Sequence, residues 1–216
     1  MILMMSCQKL LGLCVFLPIE CLEAREVVQE IMEQAAEEVG YKPPKFAFDL
    51  QISFNLSRDE IASLMDTAHT YELLMSYPET EGACATISKW MAEGHELEIV
   101  TGRPISTHEG SLEWLSRRGI EGLPIIHVDK FGREPPPLSP DAPRSLSVDE
   151  FCERQYDFAV EDSPMAFAHL ARLDDCRVAV YERPWNKTIE LPSKAFTCCS
   201  NWQEIDNLFQ RYSSLK

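Results

Sequence analysis

DFAVEDSPMAFAHL, residues 157–170, joins a short apolar run to a helix-like segment through two adjacent acids, Glu161 and Asp162. One interpretation is that Asp162 caps the helix, since aspartate at such positions accepts hydrogen bonds from free backbone N–H groups. The other is a metal site at the carboxyl end of a buried parallel strand, where open α/β sheets place their ligands. The rest of the chain bears on the choice between them.

Predicted helices and strands alternate from residue 83 onward. Strands are predicted near 97–100, 124–128, 158–160 and 178–181, and helices over 83–93, 108–118, 147–154, 164–172 and 201–212. This alternation predicts an α/β fold, with a parallel sheet covered by helices on both faces. The proline-rich segment 134–143 is expected to lack regular structure, because proline fixes φ and has no backbone N–H.

The apolar run at residues 10–17 is open to two interpretations. Its length matches the apolar core of a minimal signal peptide, but a single positive charge precedes it and no A-x-A cleavage pattern follows. It is too short to cross a bilayer as a helix. We therefore expect a buried first strand.

Residues 21–79 are expected to form a small helical cap inserted after this first strand. Apolar residues at helical spacing predict a helix over 22–40. Ser57 and Glu60 form a capping-box pattern that begins a helix to about residue 69, and a further short helix is predicted over 70–76. The core would then consist of residues 1–20 and 80–216.

The composition limits the classes of partner. The chain of 216 residues has a formal net charge of −15, which disfavours nucleic-acid polymers and anionic membranes. A small phosphorylated ligand remains compatible, because a bound divalent cation inverts the local charge. The eight cysteines form no CxxC pair and no cluster with zinc-ligand spacing, which predicts reduced thiols in a cytoplasmic protein.

Two further groups follow predicted strands. Thr101 and Gly102 follow the strand at 97–100, where a hydroxyl and backbone N–H groups can hold a phosphate oxygen, although threonine before glycine is also common in turns. Lys130 follows the strand at 124–128 and would neutralise a phosphate, or be merely solvated. Arg103 and Arg133 are candidate secondary phosphate contacts.

The order strand–Thr, strand–Lys, strand–Glu-Asp resembles the second, third and fourth motifs of the haloacid dehalogenase superfamily of phosphatases, and within it the 5′(3′)-deoxyribonucleotidase branch. The resemblance covers roughly residues 80–210. It is carried by VTGRP at 100–104, VDKFGR at 128–133, DFAVEDSPMAFAHLA at 157–171, YERPWN at 181–186 and NWQEI at 201–205.

The resemblance implies a Rossmann-like core with a helical cap and a Mg²⁺-dependent phosphatase or 5′-nucleotidase acting on a small phosphomonoester. In the family, one aspartate attacks phosphorus to form an aspartyl-phosphate, and a second aspartate transfers protons. By motif match, Thr101 would bind the phosphoryl group and Lys130 would stabilise it. Asp162, with Glu161, would hold Mg²⁺.

The family's first motif, DxDG after the first strand, is not intact in this chain. In the run at 11–21, Cys14 and Phe16 occupy the positions of the nucleophile and the acid/base, and phenylalanine cannot transfer a proton. Asp49 is the other candidate nucleophile or else a residue of the cap, since Gln51 stands where the second aspartate belongs and only 52 residues separate Asp49 from Thr101.

Several explanations for the altered first motif stay open. The chain is an inactive phosphate-binding or regulatory protein, its sequence has a frame error upstream of about residue 20, Asp49 takes the role of the nucleophile, or Cys14 supplies thiol chemistry.

Aromatic residues of the cap region have two interpretations. Phe54, Tyr71 and Tyr77 would stack on a nucleobase, or pack within the cap. Trp185 would shape the rim of the site, or simply pack. The sequence indicates neither the exact substrate nor the oligomeric state.

Overall fold

The computed structural model describes residues 2–3, 13–15, 57–130, 132 and 144–214. Its strands are β1 (Ile2–Leu3), β2 (Leu13–Val15), β3 (Leu97–Thr101), β4 (Ile125–His127), β5 (Phe158–Glu161), β6 (Arg177–Tyr181) and β7 (Phe196–Cys199). Its helices are α1 (Arg58–Ala68), α2 (Tyr71–Ser76), α3 (Ala83–Ala92), α4 (His108–Ser116), α5 (Val148–Cys152), α6 (Pro164–Leu170) and α7 (Trp202–Ser213).

The strands β4-β3-β2-β5-β6-β7 form one sheet in that order, and every pair in this series is parallel. β1 pairs with β3 in the antiparallel direction. β2 is central, since Cys14 pairs with Glu98 on one side and with Ala159 on the other. The predicted α/β class with a parallel sheet is confirmed.

The sheet is buried on both faces by two separate apolar clusters. Phe158 and Val160 point into one cluster, and Ala159 points into the other, as the two-residue period of a strand requires. Helices α3, α4 and α7 contribute to the first cluster, and α5 and α6 to the second. Burial on both faces explains why these strands read as continuous apolar runs.

The helices α1 and α2 form a small packed unit beside α4. The capping box predicted at the start of α1 is confirmed, because Ser57 and Glu60 bond to each other's backbone N–H groups. Ala68, Leu74 and Tyr77 form the small core of this unit. The predicted helix 22–40 and the proline-rich segment 134–143 lie outside the described residues.

Two strands were missed by sequence analysis. β7 follows β6, although 178–181 was expected to be the last strand; Thr197 and Cys198 in its centre are exposed, so its pattern is not that of a buried strand. β1 has only two residues and shows no readable period. Cys152, Cys198 and Cys199 are free thiols. No helix in the described part of the chain has the length and apolarity needed to span a membrane.

Asp206 ties α7 to α3 through a buried polar contact. Its Oδ1 accepts a hydrogen bond of 2.8 Å from Nε1 of Trp90, and its Oδ2 accepts one of 2.7 Å from Nζ of Lys89. Burial alone would raise the pKa of Asp206, but hydrogen bonds from Lys89, Trp90 and Gln210 outweigh it and lower the pKa overall. The carboxylate is therefore held in its ionised form.

We expect Asp206→Ala to lower the free energy of unfolding by about 1–3 kcal/mol, because the buried indole N–H loses its acceptor. Asp206→Asn retains an acceptor oxygen and should cost less. Chemical denaturation measures both, with Glu190→Ala at an exposed position as the control. Because the folded pKa is lowered, the contribution of Asp206 is present above its unfolded pKa and is lost as pH falls through the folded value. An alanine variant as stable as the wild type near neutral pH would contradict this role.

Candidate functional site

The structure places two of the predicted site residues at one edge of the sheet. Thr101 ends β3 and Glu161 ends β5, and these strands flank β2 on opposite sides. Cys14 pairs with Glu98 on one side and with Ala159 on the other, so Thr101 lies one residue beyond the level of Glu161, about 10 Å away across two strand spacings. The order of strands along the chain reverses at β2, which is where open α/β sheets form a ligand crevice.

The turn after β3 presents a hydroxyl at this edge. Thr101 is 1% exposed, and its Oγ1 accepts a hydrogen bond of 3.1 Å from the backbone N–H of Arg103. A threonine hydroxyl can both accept and donate a hydrogen bond, and the donor suits an anionic oxygen. Thr101 therefore has the chemistry predicted for a phosphate contact.

Lys130 lies against Gly102. A Cβ atom built on Gly102 would lie 3.2 Å from both Cδ and Cε of Lys130, and 3.6 Å from Nζ. The positive charge of Lys130 also acts on Glu161, where it opposes the rise in pKa that burial causes. Lys130 thus links the turn after β3 to the end of β5, and a glycine at 102 leaves room for its side chain.

Glu161 is a completely buried acid with one carboxyl oxygen engaged. Its Oε1 accepts hydrogen bonds of 2.8 Å and 2.6 Å from the backbone N–H groups of Asp162 and Ser163, at the start of α6. Its Oε2 is buried and has no hydrogen-bond partner among the described residues. Burial raises the pKa of Glu161 well above its usual value; Lys130 opposes this effect, and Asp162 adds to it.

Asp162 does not make the capping contact that the first interpretation requires. Ser163 is the N-cap residue of α6, and its own side chain makes no capping hydrogen bond. The acid that accepts hydrogen bonds from the backbone N–H groups there is Glu161. Asp162 is 3% exposed, and its Oδ2 is buried without a hydrogen-bond partner in the described part of the chain.

Trp185 and Asn186, which follow β6, hold the backbone of Asp162 in place. Its carbonyl oxygen accepts hydrogen bonds of 3.2 Å from Nε1 of Trp185 and 2.8 Å from Nδ2 of Asn186. Nδ2 of Asn186 also donates to the carbonyl of Tyr181. The motif YERPWN predicted no role for Asn186, because the position of this side chain between two buried carbonyl groups cannot be read from the motif.

The acid pair fits part of a Mg²⁺ site. Within the described part of the chain, Glu161 and Asp162 each have a buried carboxyl oxygen without a hydrogen-bond partner, and carboxylate oxygens are the protein ligands that Mg²⁺ prefers. Within the described residues, no group of three acidic, histidine or cysteine side chains is placed to hold a metal. Mg²⁺ is commonly held by one or two carboxylates together with water and a substrate phosphate, so two acids suffice for the protein's share.

The remaining predicted residues are placed only in part. Cys14 lies in the central strand β2, one residue before its end. Arg103 is 3% exposed, with its Cζ 6.0 Å from the centre of the Tyr77 ring, so its side chain lies towards α2. Phe16, Asp49, Phe54 and Arg133 lie outside the described residues.

The cap aromatics that the structure describes pack or bond to protein groups. Tyr77 is 1% exposed and its hydroxyl donates to the carbonyl of Ala68, so it belongs to the core of the α1–α2 unit. Tyr71 is 49% exposed and its hydroxyl donates to the carboxylate of Glu113. For Tyr77 the packing interpretation agrees with the structure.

Neither a protein-family model nor a curated protein matches the sequence. The interpretation of this edge of the sheet therefore depends on its own chemistry and on the motif resemblance.

We expect Gly102→Ala to weaken phosphate binding while the protein stays folded. The added methyl group would press on Cδ and Cε of Lys130 at 3.2 Å and displace its ammonium group. Binding of inorganic phosphate, measured by isothermal titration with Mg²⁺ present, provides the readout. If Gly102→Ala acts through Lys130, its effect and that of Lys130→Ala will not add in the double variant. Additive losses would contradict the contact.

We expect Mg²⁺ to stabilise the protein more as pH rises. Because the folded pKa of Glu161 is raised, its contribution to stability is complete below its unfolded pKa and is lost as pH rises through the folded value. Mg²⁺ favours the ionised acid, so the Mg²⁺-induced rise in melting temperature should grow between about pH 5 and about pH 8. Thermal denaturation with and without Mg²⁺ measures this.

Glu161→Gln keeps the acceptor for the backbone N–H groups but cannot ionise, so the pH dependence of the Mg²⁺ effect should disappear. Glu190→Gln at an exposed position is the matched control. A Mg²⁺ effect that is equal in Glu161→Gln and in the wild type would contradict the assignment of this acid.

Proposed function

We propose that this chain is a Mg²⁺-dependent phosphatase or 5′-nucleotidase of the haloacid dehalogenase type, acting on a small phosphomonoester. The observation that carries the proposal is the pair of buried carboxyl oxygens on Glu161 and Asp162 that have no hydrogen-bond partner among the residues the structure describes, at the same sheet edge as Thr101 and Lys130. Capping of α6 by Glu161 explains the hydrogen bonds of its Oε1, but it does not explain why a second oxygen of Glu161 and one of Asp162 are buried without a partner in the described residues.

Each described residue has a role that follows from its contacts. The hydroxyl of Thr101 donates to a phosphoryl oxygen, and the ammonium group of Lys130 neutralises the phosphate from the neighbouring loop. Glu161 and Asp162 would hold Mg²⁺, which supplies positive charge against the phosphate. Trp185 and Asn186 position Asp162 through its carbonyl oxygen.

The second candidate is a protein of the same fold that binds a phosphorylated ligand without turnover. It is favoured by the sequence at the end of β2, where Cys14 and Phe16 stand in place of two aspartates. A thiol is a poor ligand for Mg²⁺, which prefers oxygen, and phenylalanine transfers no proton. Under the enzymatic proposal a carboxylate nucleophile is still required, and Asp49 is the candidate in this chain.

The proposed ligand is a small phosphorylated metabolite or a nucleotide rather than a nucleic-acid polymer, since the net charge of −15 opposes a large polyanion. The free thiols support a location in the cytoplasm.

The test is phosphate release from a panel of nucleotides and sugar phosphates, with and without Mg²⁺. We expect Mg²⁺-dependent release that Lys130→Ala lowers by about tenfold or more, because charge stabilisation of a transferring phosphoryl group typically contributes several kcal/mol. Asp49→Asn distinguishes the candidates for the nucleophile, since it abolishes release only if Asp49 attacks phosphorus.

Thermal denaturation with inorganic phosphate and Mg²⁺ separates the two proposed functions. A rise in melting temperature without turnover supports the binding protein. If the protein shows no turnover and phosphate with Mg²⁺ causes no thermal shift, both proposals are contradicted.

A further inference from the structure

A buried histidine at the end of β4 has no part in the roles assigned above. His127 is the last residue of β4, is 2% exposed, and lies opposite Thr101 in the register of the sheet. Its Nδ1 lies 3.0 Å from the carbonyl oxygen of Arg103, and its Nε2 lies 3.2 Å from Nδ1 of His108. The ring therefore joins the turn after β3 to the first residue of α4.

The carbonyl of Arg103 decides where the proton lies. A carbonyl oxygen only accepts hydrogen bonds, so Nδ1 of His127 has the proton and donates. In the neutral ring Nε2 then has the lone pair and accepts a hydrogen bond from Nδ1–H of His108. Both histidines are thereby fixed in the Nδ1–H tautomer, and two consecutive hydrogen bonds connect α4 to the turn.

The turn that His127 holds is also the turn proposed to bind phosphate. The N–H of Arg103 donates to Oγ1 of Thr101, and the carbonyl of Thr101 accepts a hydrogen bond of 2.7 Å from the N–H of Val128. Three residues after His127, Lys130 lies against the glycine of this turn. β4 and the loop after it thus contact the turn through a backbone bond, an imidazole and a lysine side chain.

We propose that His127 is a positioning residue for the phosphate-binding turn, and that His108 fixes the tautomer in which it acts. The nature of the ligand rests on the proposed function. Holding the carbonyl of Arg103 fixes the peptide plane after it, and the N–H of the same residue orients the hydroxyl of Thr101. Without the imidazole the Arg103 carbonyl loses this hydrogen bond, and the turn is held less firmly.

The variants His127→Asn and His127→Leu test the contact. The Nδ2 of asparagine occupies the place of Nδ1 and retains a donor, whereas leucine retains only apolar volume. We expect His127→Leu to weaken binding of inorganic phosphate in the presence of Mg²⁺ by about tenfold, the effect of losing one hydrogen bond of average strength.

We expect His127→Asn to stay within about threefold of the wild type. His95→Leu is the matched control, because His95 is a partly buried histidine at the other end of β3 that packs against Phe209. The inference is overturned if His127→Leu binds phosphate as tightly as the wild type. It is also overturned if His127→Asn loses as much affinity as His127→Leu.

Nuclear magnetic resonance of protein labelled with ¹⁵N-histidine provides a readout that needs no ligand. We expect protonated Nδ1 in both His127 and His108, and faster hydrogen exchange of the Arg103 amide in His127→Leu. If the wild type binds no phosphate with Mg²⁺, the proposed function fails and these two measurements still decide the positioning role. A proton on Nε2 of His127 with none on Nδ1, or unchanged exchange at Arg103, overturns it.

Discussion

Strand β2 pairs with β3 on one side and β5 on the other, all three running parallel, and the candidate site depends on this pairing. Parallel pairing brings the carboxyl ends of the strands to the same edge of the sheet. Thr101 and Glu161 are far apart in the sequence, but both lie at that edge, one residue apart in the register of the sheet. The site therefore comes from the order of the strands, and no single motif contains it.

The burial of Glu161 has a large electrostatic cost. A carboxyl group removed from water resists ionisation, and the raised pKa of Glu161 expresses that cost. Two backbone N–H groups and the charge of Lys130 offset part of it, but one oxygen stays without a hydrogen-bond partner in the described region. A cation bound at this position would contact that oxygen. Its charge would make the site attractive to a phosphate although the whole chain is strongly acidic.

The sequence predicted the elements that depend on local signals. Alternating apolar runs and helical periods indicated the α/β class, and the S-x-x-E pattern at Ser57 marked the start of α1. Edge strand β7 was missed because Thr197 and Cys198 are exposed and give no apolar run. The contacts of Asn186 and His127 were not predicted, since a lone asparagine or histidine has no spacing pattern that reveals its partner across the sheet.

The sequence by itself determined which side chains end the strands: Thr101, the acid pair Glu161 and Asp162, and Lys130 after β4. Periodicity and turn residues are local properties, so they can be read along the chain. Only the tertiary structure decided that Glu161 rather than Asp162 bonds the start of α6, and that His127 contacts Arg103. Those choices follow from the register of the paired strands, which depends on how whole faces pack and is not encoded in any short stretch.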